Sequence, residues 1–138
     1  MKQKTIFSAL MAIMLLTGCH ESLEERAERE AREYTQKNCP TPIENYQRTD
    51  SMVFYKQTLT ITYYSSVFDK ADDSVVMAKS RKAIHDGLLK SIRQTTALKR
   101  FKEADYNFAY VIHSGKNPKV TYLKYKFTKK DYADAGKP

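Results

Sequence analysis

Two stretches of alternating side chains separated by a long helical stripe constrain this chain more than any other feature. Over residues 51–67, Met52, Phe54, Leu59, Ile61 and Tyr63 alternate with Val53, Tyr55, Thr60, Thr62 and Tyr64. Such β-branched and aromatic alternation suits a pleated surface with one covered face. It predicts two strands with a turn near Lys56-Gln57. A second pair is expected at Tyr106 to His113 and Lys119 to Thr128, joined by the turn-rich Ser114-Gly115-Lys116-Asn117-Pro118. In the last strand Leu123, Tyr125 and Phe127 share one face, and Tyr122, Lys124 and Lys126 share the other.

Between the pairs, Asp72-Asp73-Ser74 supplies helix N-cap candidates. Val76, Met77, Ala83, Ile84, Leu88, Ser91 and Ile92 then fall at helical spacing, while Lys79, Arg81, Lys82, Lys90 and Arg93 lie largely elsewhere around the helix. Gly87 costs about 1 kcal/mol of helix propensity, so it is expected where the helix approaches a sheet closely. A short helix over Ala97 to Ala104 should turn Leu98 and Phe101 inward. Upstream, Glu21 to Lys37 is rich in Ala, Glu and Arg, with Glu25–Arg29 and Glu28–Arg32 as i,i+4 pairs. Its apolar stripe of Leu23, Ala27, Ala31 and Tyr34 is thin, which reads as a solvated spacer ended by Asn38, Pro40 and Pro42. The order α-β-β-α-β-β predicts an α+β fold, a four-stranded antiparallel sheet covered by helix on one face.

The first residues carry a different signal. Lys2 and Lys4 precede the uncharged, largely apolar run Ile6 to Leu16, too short for a comfortable membrane span and of the length of a signal-peptide core. Leu16-Thr17-Gly18-Cys19 follows and resembles the lipobox of bacterial lipoproteins. The resemblance implies cleavage between Gly18 and Cys19, acylation of Cys19, and a membrane partner reached through lipid. Residues 1–18 would be the signal, 19–37 the lipidated Cys and tether helix, and 38–138 a single small domain. His20 stands where an Asp would resemble an inner-membrane retention signal, so the outer membrane is favoured over the inner. The Glu-rich His20 to Glu25 is similar to acidic tethers that send some Bacteroidetes lipoproteins to the cell surface, which leaves a surface-facing and a periplasm-facing body as the two expected orientations. The stretch from Cys39-Pro40 to Lys130-Asp131-Tyr132 resembles small uncharacterised lipoproteins of gut Bacteroidetes.

Charge narrows the choice of partner. The net charge is +8, and it becomes +6 once Lys2 and Lys4 leave with the signal. Residues 20–33 hold six Glu against three Arg, so the remainder carries 19 basic and 10 acidic side chains. A strongly basic body fits nucleic acid, anionic lipid or an acidic partner, and export disfavours nucleic acid. The candidate binding face is Tyr122, Lys124 and Lys126, joined by Lys119, Lys129 and Lys130.

Little points to catalysis. Cys39 is the one thiol outside the anchor and is expected to be buried, since free Cys favours interiors and no neighbouring base lowers its pKa. His20, His85 and His113 lack ligands at metal-binding spacing. Asp72-Asp73 reads as a helix cap rather than a cation site. No cofactor is implied. The expected function is binding of an envelope protein or anionic polymer by a monomer or weak oligomer. The alternatives are a small hydrolase or thiol enzyme using Cys39 or His113, and a purely structural role.

Overall fold

The computed structural model describes residues 20–133; the signal segment, Gly18 and Cys19 lie outside them. The elements are α1 (Leu23–Asn38), β1 (Gln47–Tyr55), a 3-10 turn (Lys56–Thr58), β2 (Thr60–Val67), a second 3-10 turn (Asp69–Ala71), α2 (Ser74–Gln94), α3 (Lys99–Glu103), β3 (Asn107–Ser114), β4 (Thr121–Phe127) and α4 (Lys129–Ala133). The α+β class, the ββαββ order and the four-stranded sheet follow the sequence pattern. None of the described helices is long and apolar enough to cross a membrane.

The strands lie in the order β1-β2-β3-β4. Both hairpins are antiparallel, but β2 and β3 run parallel from Thr60↔Asn107 to Val67↔Ser114. The sheet is therefore mixed rather than wholly antiparallel. The cause is the connection: the 21 residues of α2 span about 32 Å, enough to return the chain along the whole of β2, whose eight residues span about 26 Å. The chain thus re-enters the sheet at the end where β2 began, as a parallel crossover requires.

Register aligns the apolar residues into rows across the sheet. Phe54, Ile61, Phe108 and Phe127 form one row, and Met52, Tyr63, Tyr110 and Tyr125 the next. Phe108, Phe127 and Ile61 are almost wholly buried, in one cluster with Ala27 of α1, Ile92 of α2, Phe101 of α3 and Tyr132 of α4. All four helices therefore pack on the same face. Met77 completes a second cluster with Val67, Ile112 and Leu123. Gly87 has open space around it, so it does not mark a close approach; the inward stripe of α2 runs through Met77, Ile84, Leu88 and Ile92.

Helix α1 corrects the spacer reading. Ala27 and Ala31 are buried, at 0% and 3% exposure. The Thr35 hydroxyl donates to the Met52 carbonyl and accepts from the Met52 N–H, each at 2.9 Å. Two small residues at i,i+4 let the helix lie close to the sheet, so a thin stripe suffices for docking. Its start is a capping box in which Ser22 accepts from the Glu25 N–H and Glu25 accepts from the Ser22 N–H. Glu25 is thereby occupied, and Arg29 pairs instead with Glu21 at 2.6 Å and Glu33 at 3.3 Å. Neither Glu25–Arg29 nor Glu28–Arg32 forms among the described ion pairs.

Candidate anion-binding groove beside β4

The predicted face Tyr122, Lys124 and Lys126 is divided by a bulge. Ile112 pairs with Leu123 but His113 pairs with Thr121, leaving Tyr122 as the extra residue. Its ring packs with the Val67, Met77, Ile112 and Leu123 cluster. Its hydroxyl donates to Asp72 at 2.9 Å. Lys124 and Lys126 remain exposed on the outer face, opposite Val111 and Ala109. Lys129 and Lys130 belong to α4 rather than to the strand, and Lys129 pairs with Asp105 at 2.9 Å.

From the sheet edge Lys124 also borders an open groove between β4 and α2, of about 520 Å³, with Ala78, Lys79, Arg81, Lys82, His85 and Tyr125. The packing that builds it is specific. Tyr125 on the covered face donates its hydroxyl to the Arg81 carbonyl at 2.8 Å, tying the strand to the helix. Burial raises the Tyr125 phenol above its ordinary range, so it remains a neutral donor at physiological pH. His85 stands edge-on to Tyr125 at 5.5 Å and lies 5.1 Å from the Phe127 ring; its Nδ1 is 3.0 Å from Asp86. Asp86 also pairs with Lys82, which holds its carboxyl below the usual range, with His85 adding to the effect. Among the described residues Lys79, Arg81 and Lys124 have no acidic partner within salt-bridge distance. The groove thus presents uncompensated cations beside a neutral phenol, which suits an anion.

The Asp72-Asp73 pair divides its work. Asp73 caps α2, accepting from the Val75 and Val76 N–H groups at 2.9 Å. Asp72 is buried at 3% exposure and accepts from the Lys116 N–H and the Tyr122 hydroxyl. These donors, with the Ser114 hydroxyl first, hold its carboxyl below the ordinary aspartate range. It stitches the β2–α2 connection to the β3–β4 loop. Sequence spacing gave Asp72 only a capping role, because the other hydrogen-bond donors lie more than 40 residues away.

The catalytic candidates do not assemble. Cys39 is half-buried at the C-cap of α1, not fully enclosed, and burial followed by the Asp50 charge pushes its thiol upward. That disfavours a thiolate. His113 stacks on Tyr64 at 6.2 Å, and its Nδ1 lies 3.1 Å from the Thr121 hydroxyl. His20 is exposed. Among the described residues no group of three or more His, Cys, Asp or Glu is placed to hold a metal. A smaller cavity of about 250 Å³ lies over the stacked Tyr63–Tyr110 pair beneath the end of α2. Burial pushes the Tyr110 phenol up to about 12, so this cavity offers neutral donors and no cation.

The α2 part of the groove was legible in one respect. Ala78, Arg81, Lys82 and His85 recur at i, i+3, i+4 and i+7, a single helical face. What the linear chain lacked was the pairing of that face with β4.

These features define a class: a small α+β domain with an N-terminal helix docked onto a mixed ββαββ sheet. The chain belongs to the family described as a domain of unknown function, DUF8479, whose profile matches residues 22–123. The match begins at Ser22, the N-cap of α1. A crystal structure from Pseudomonas aeruginosa, described as a candidate secreted protein, shares the fold at a TM-score of 0.66 and 14% identity, over 80% of this chain and 96% of that one. No curated protein matches the sequence.

Proposed function

We propose that this chain is an exported lipoprotein, acylated at Cys19 and held on a bacterial envelope membrane, with the outer membrane favoured over the inner. There it acts as a binding module for an anionic partner. The observation that carries the binding role is the convergence of Lys79, Arg81, Lys82 and Lys124 on one groove against the single carboxylate of Asp86. The secreted description of the Pseudomonas structure supports export, as does the lipobox. Since α1 is capped at Ser22, only Cys19 to Ser22 separates lipid from folded body, a leash of about 10–14 Å. The body would therefore ride close to the membrane surface.

The two parts are tested separately. Replacing residues 1–19 with an ordinary cleavable secretory signal should move the protein from the membrane fraction to the soluble fraction, because the mature chain then lacks both the acyl chains and the apolar signal; retention in the membrane would refute the lipid anchor. For the groove, Lys79→Glu combined with Lys124→Glu should weaken binding to polyphosphate and flatten its salt dependence. Unchanged binding and salt slope would refute the site.

A further inference from the structure

The two edges of the sheet are treated differently. At β1, the Thr35 hydroxyl takes both backbone groups of Met52. The Thr41 N–H donates to the Thr49 carbonyl at 3.0 Å, and the Thr41 hydroxyl accepts from the Thr49 N–H at 2.9 Å. That edge is closed by α1 and the loop after it. At β4, among the described residues, no hydrogen bond from outside the sheet reaches a backbone N–H or C=O of Tyr122 to Phe127. An open edge is a template for another strand.

Its charge selects the occupant. Lys124 and Lys126 flank the edge on the outer face, and Lys79, Arg81 and Lys82 flank the groove on the α2 side. Antiparallel pairing with a second β4 would bring lysines against lysines, which opposes self-association. An extended segment with carboxylates on both of its faces would meet cations on each side.

We propose that β4 receives an extended acidic segment of a partner protein as a fifth strand, with one set of its carboxylates beside Lys124 and Lys126 and the alternate set toward the α2 cations. This rests on the anion-binding reading and specifies its ligand as polypeptide. Backbone hydrogen bonds then supply affinity that a structureless polyanion cannot obtain.

The test uses the full mature protein and three probes: a ten-residue peptide in which Glu-Glu pairs alternate with Thr-Val pairs, so that Glu falls on both faces of an extended strand, the same peptide N-methylated at alternate amides in either phase, and polyphosphate. The unmodified peptide should bind and protect from exchange those alternate amides of Tyr122 to Phe127 that point away from β3. N-methylation in the phase facing β4 should weaken it about tenfold or more, since the backbone hydrogen bonds to the strand are lost. Lys124→Glu with Lys126→Glu should weaken the unmodified peptide similarly while leaving the melting temperature unchanged. If methylated and unmodified peptides bind alike, or polyphosphate binds and no peptide does, strand addition is overturned while the anion site stands. If neither peptide nor polyphosphate binds, the anion reading itself fails.

Discussion

Replacing Ala27 with Leu tests whether α1 is part of the folded body. Ala27 has 0% exposure and sits in the cluster with Ile61, Phe108 and Phe127. Three added carbons have no space to enter without moving α1 off the sheet or forcing neighbouring side chains from their rotamers. Overpacking of this kind costs about 1–3 kcal/mol. For a folded body of roughly 115 residues, an unfolding entropy of about 2.1 cal/mol/K per residue converts each kcal/mol into about 4 °C. The expected loss is therefore about 4–12 °C in Tm, read by far-UV circular dichroism on the mature chain. Arg32→Leu, at an exposed position of the same helix, is the control. It adds the same apolar side chain where nothing is displaced and should shift Tm by less than about 2 °C, since such surface changes stay within about 0.5 kcal/mol. Equal melting of Ala27→Leu and wild type would mean that α1 is undocked in solution and would restore the spacer reading.

Three other outcomes follow from the geometry. A Cβ on Gly115 would lie 2.5 Å from the Phe68 ring and 2.6 Å from the Val67 carbonyl, so Gly115→Ala should lower stability by about 1–3 kcal/mol in urea denaturation; an unchanged midpoint would contradict the tight loop packing. The Asp72 carboxyl is lowered on folding, so its contribution is complete above the unfolded value of about 3.9 and is lost as pH falls through the lower folded value. Asp72→Asn should melt below wild type at pH 7 and converge with it in acid; parallel Tm profiles would remove the assigned role. Because burial and Asp50 raise the Cys39 thiol, iodoacetamide should modify it more slowly than free cysteine at pH 8, and Asp50→Asn should accelerate the reaction. A rate at or above that of free cysteine would show an activated thiol and reopen the enzymatic alternative.

Local periodicity carried most of the fold. The turn at Lys56-Gln57, the amphipathic α2 and the inward Phe101 depend on neighbours within a few residues, so they can be read from spacing. The parallel seam could not be read that way, because antiparallel and parallel sheets both accept the same alternation and only the length of the crossover decides. Tyr122 was misplaced because a bulge shifts parity by one residue, and Thr121-Tyr122 carries no Gly to announce it. Lys124 can be placed on an exposed strand face from the alternation alone, but the groove it shares with Lys79, Arg81, Lys82 and His85 depends on the docking of α2 against β4. The docked state of α1 was hidden by alanine, whose small apolar area weakens the helical stripe even as it permits close contact.

The parallel seam also constrains how the sheet assembles. Each hairpin joins residues close in the chain, whereas the seam joins Thr60 to Asn107, with all of α2 and α3 between them. Contacts over such separations must overcome loop-closure entropy before they are rewarded. An isolated hairpin is at best marginal in water, so neither half gains lasting stability until the crossover helix brings them together. Closure of the middle of the sheet should therefore coincide with, rather than follow, the stabilisation of both hairpins, and substitutions that weaken α2 should slow refolding in stopped-flow measurements.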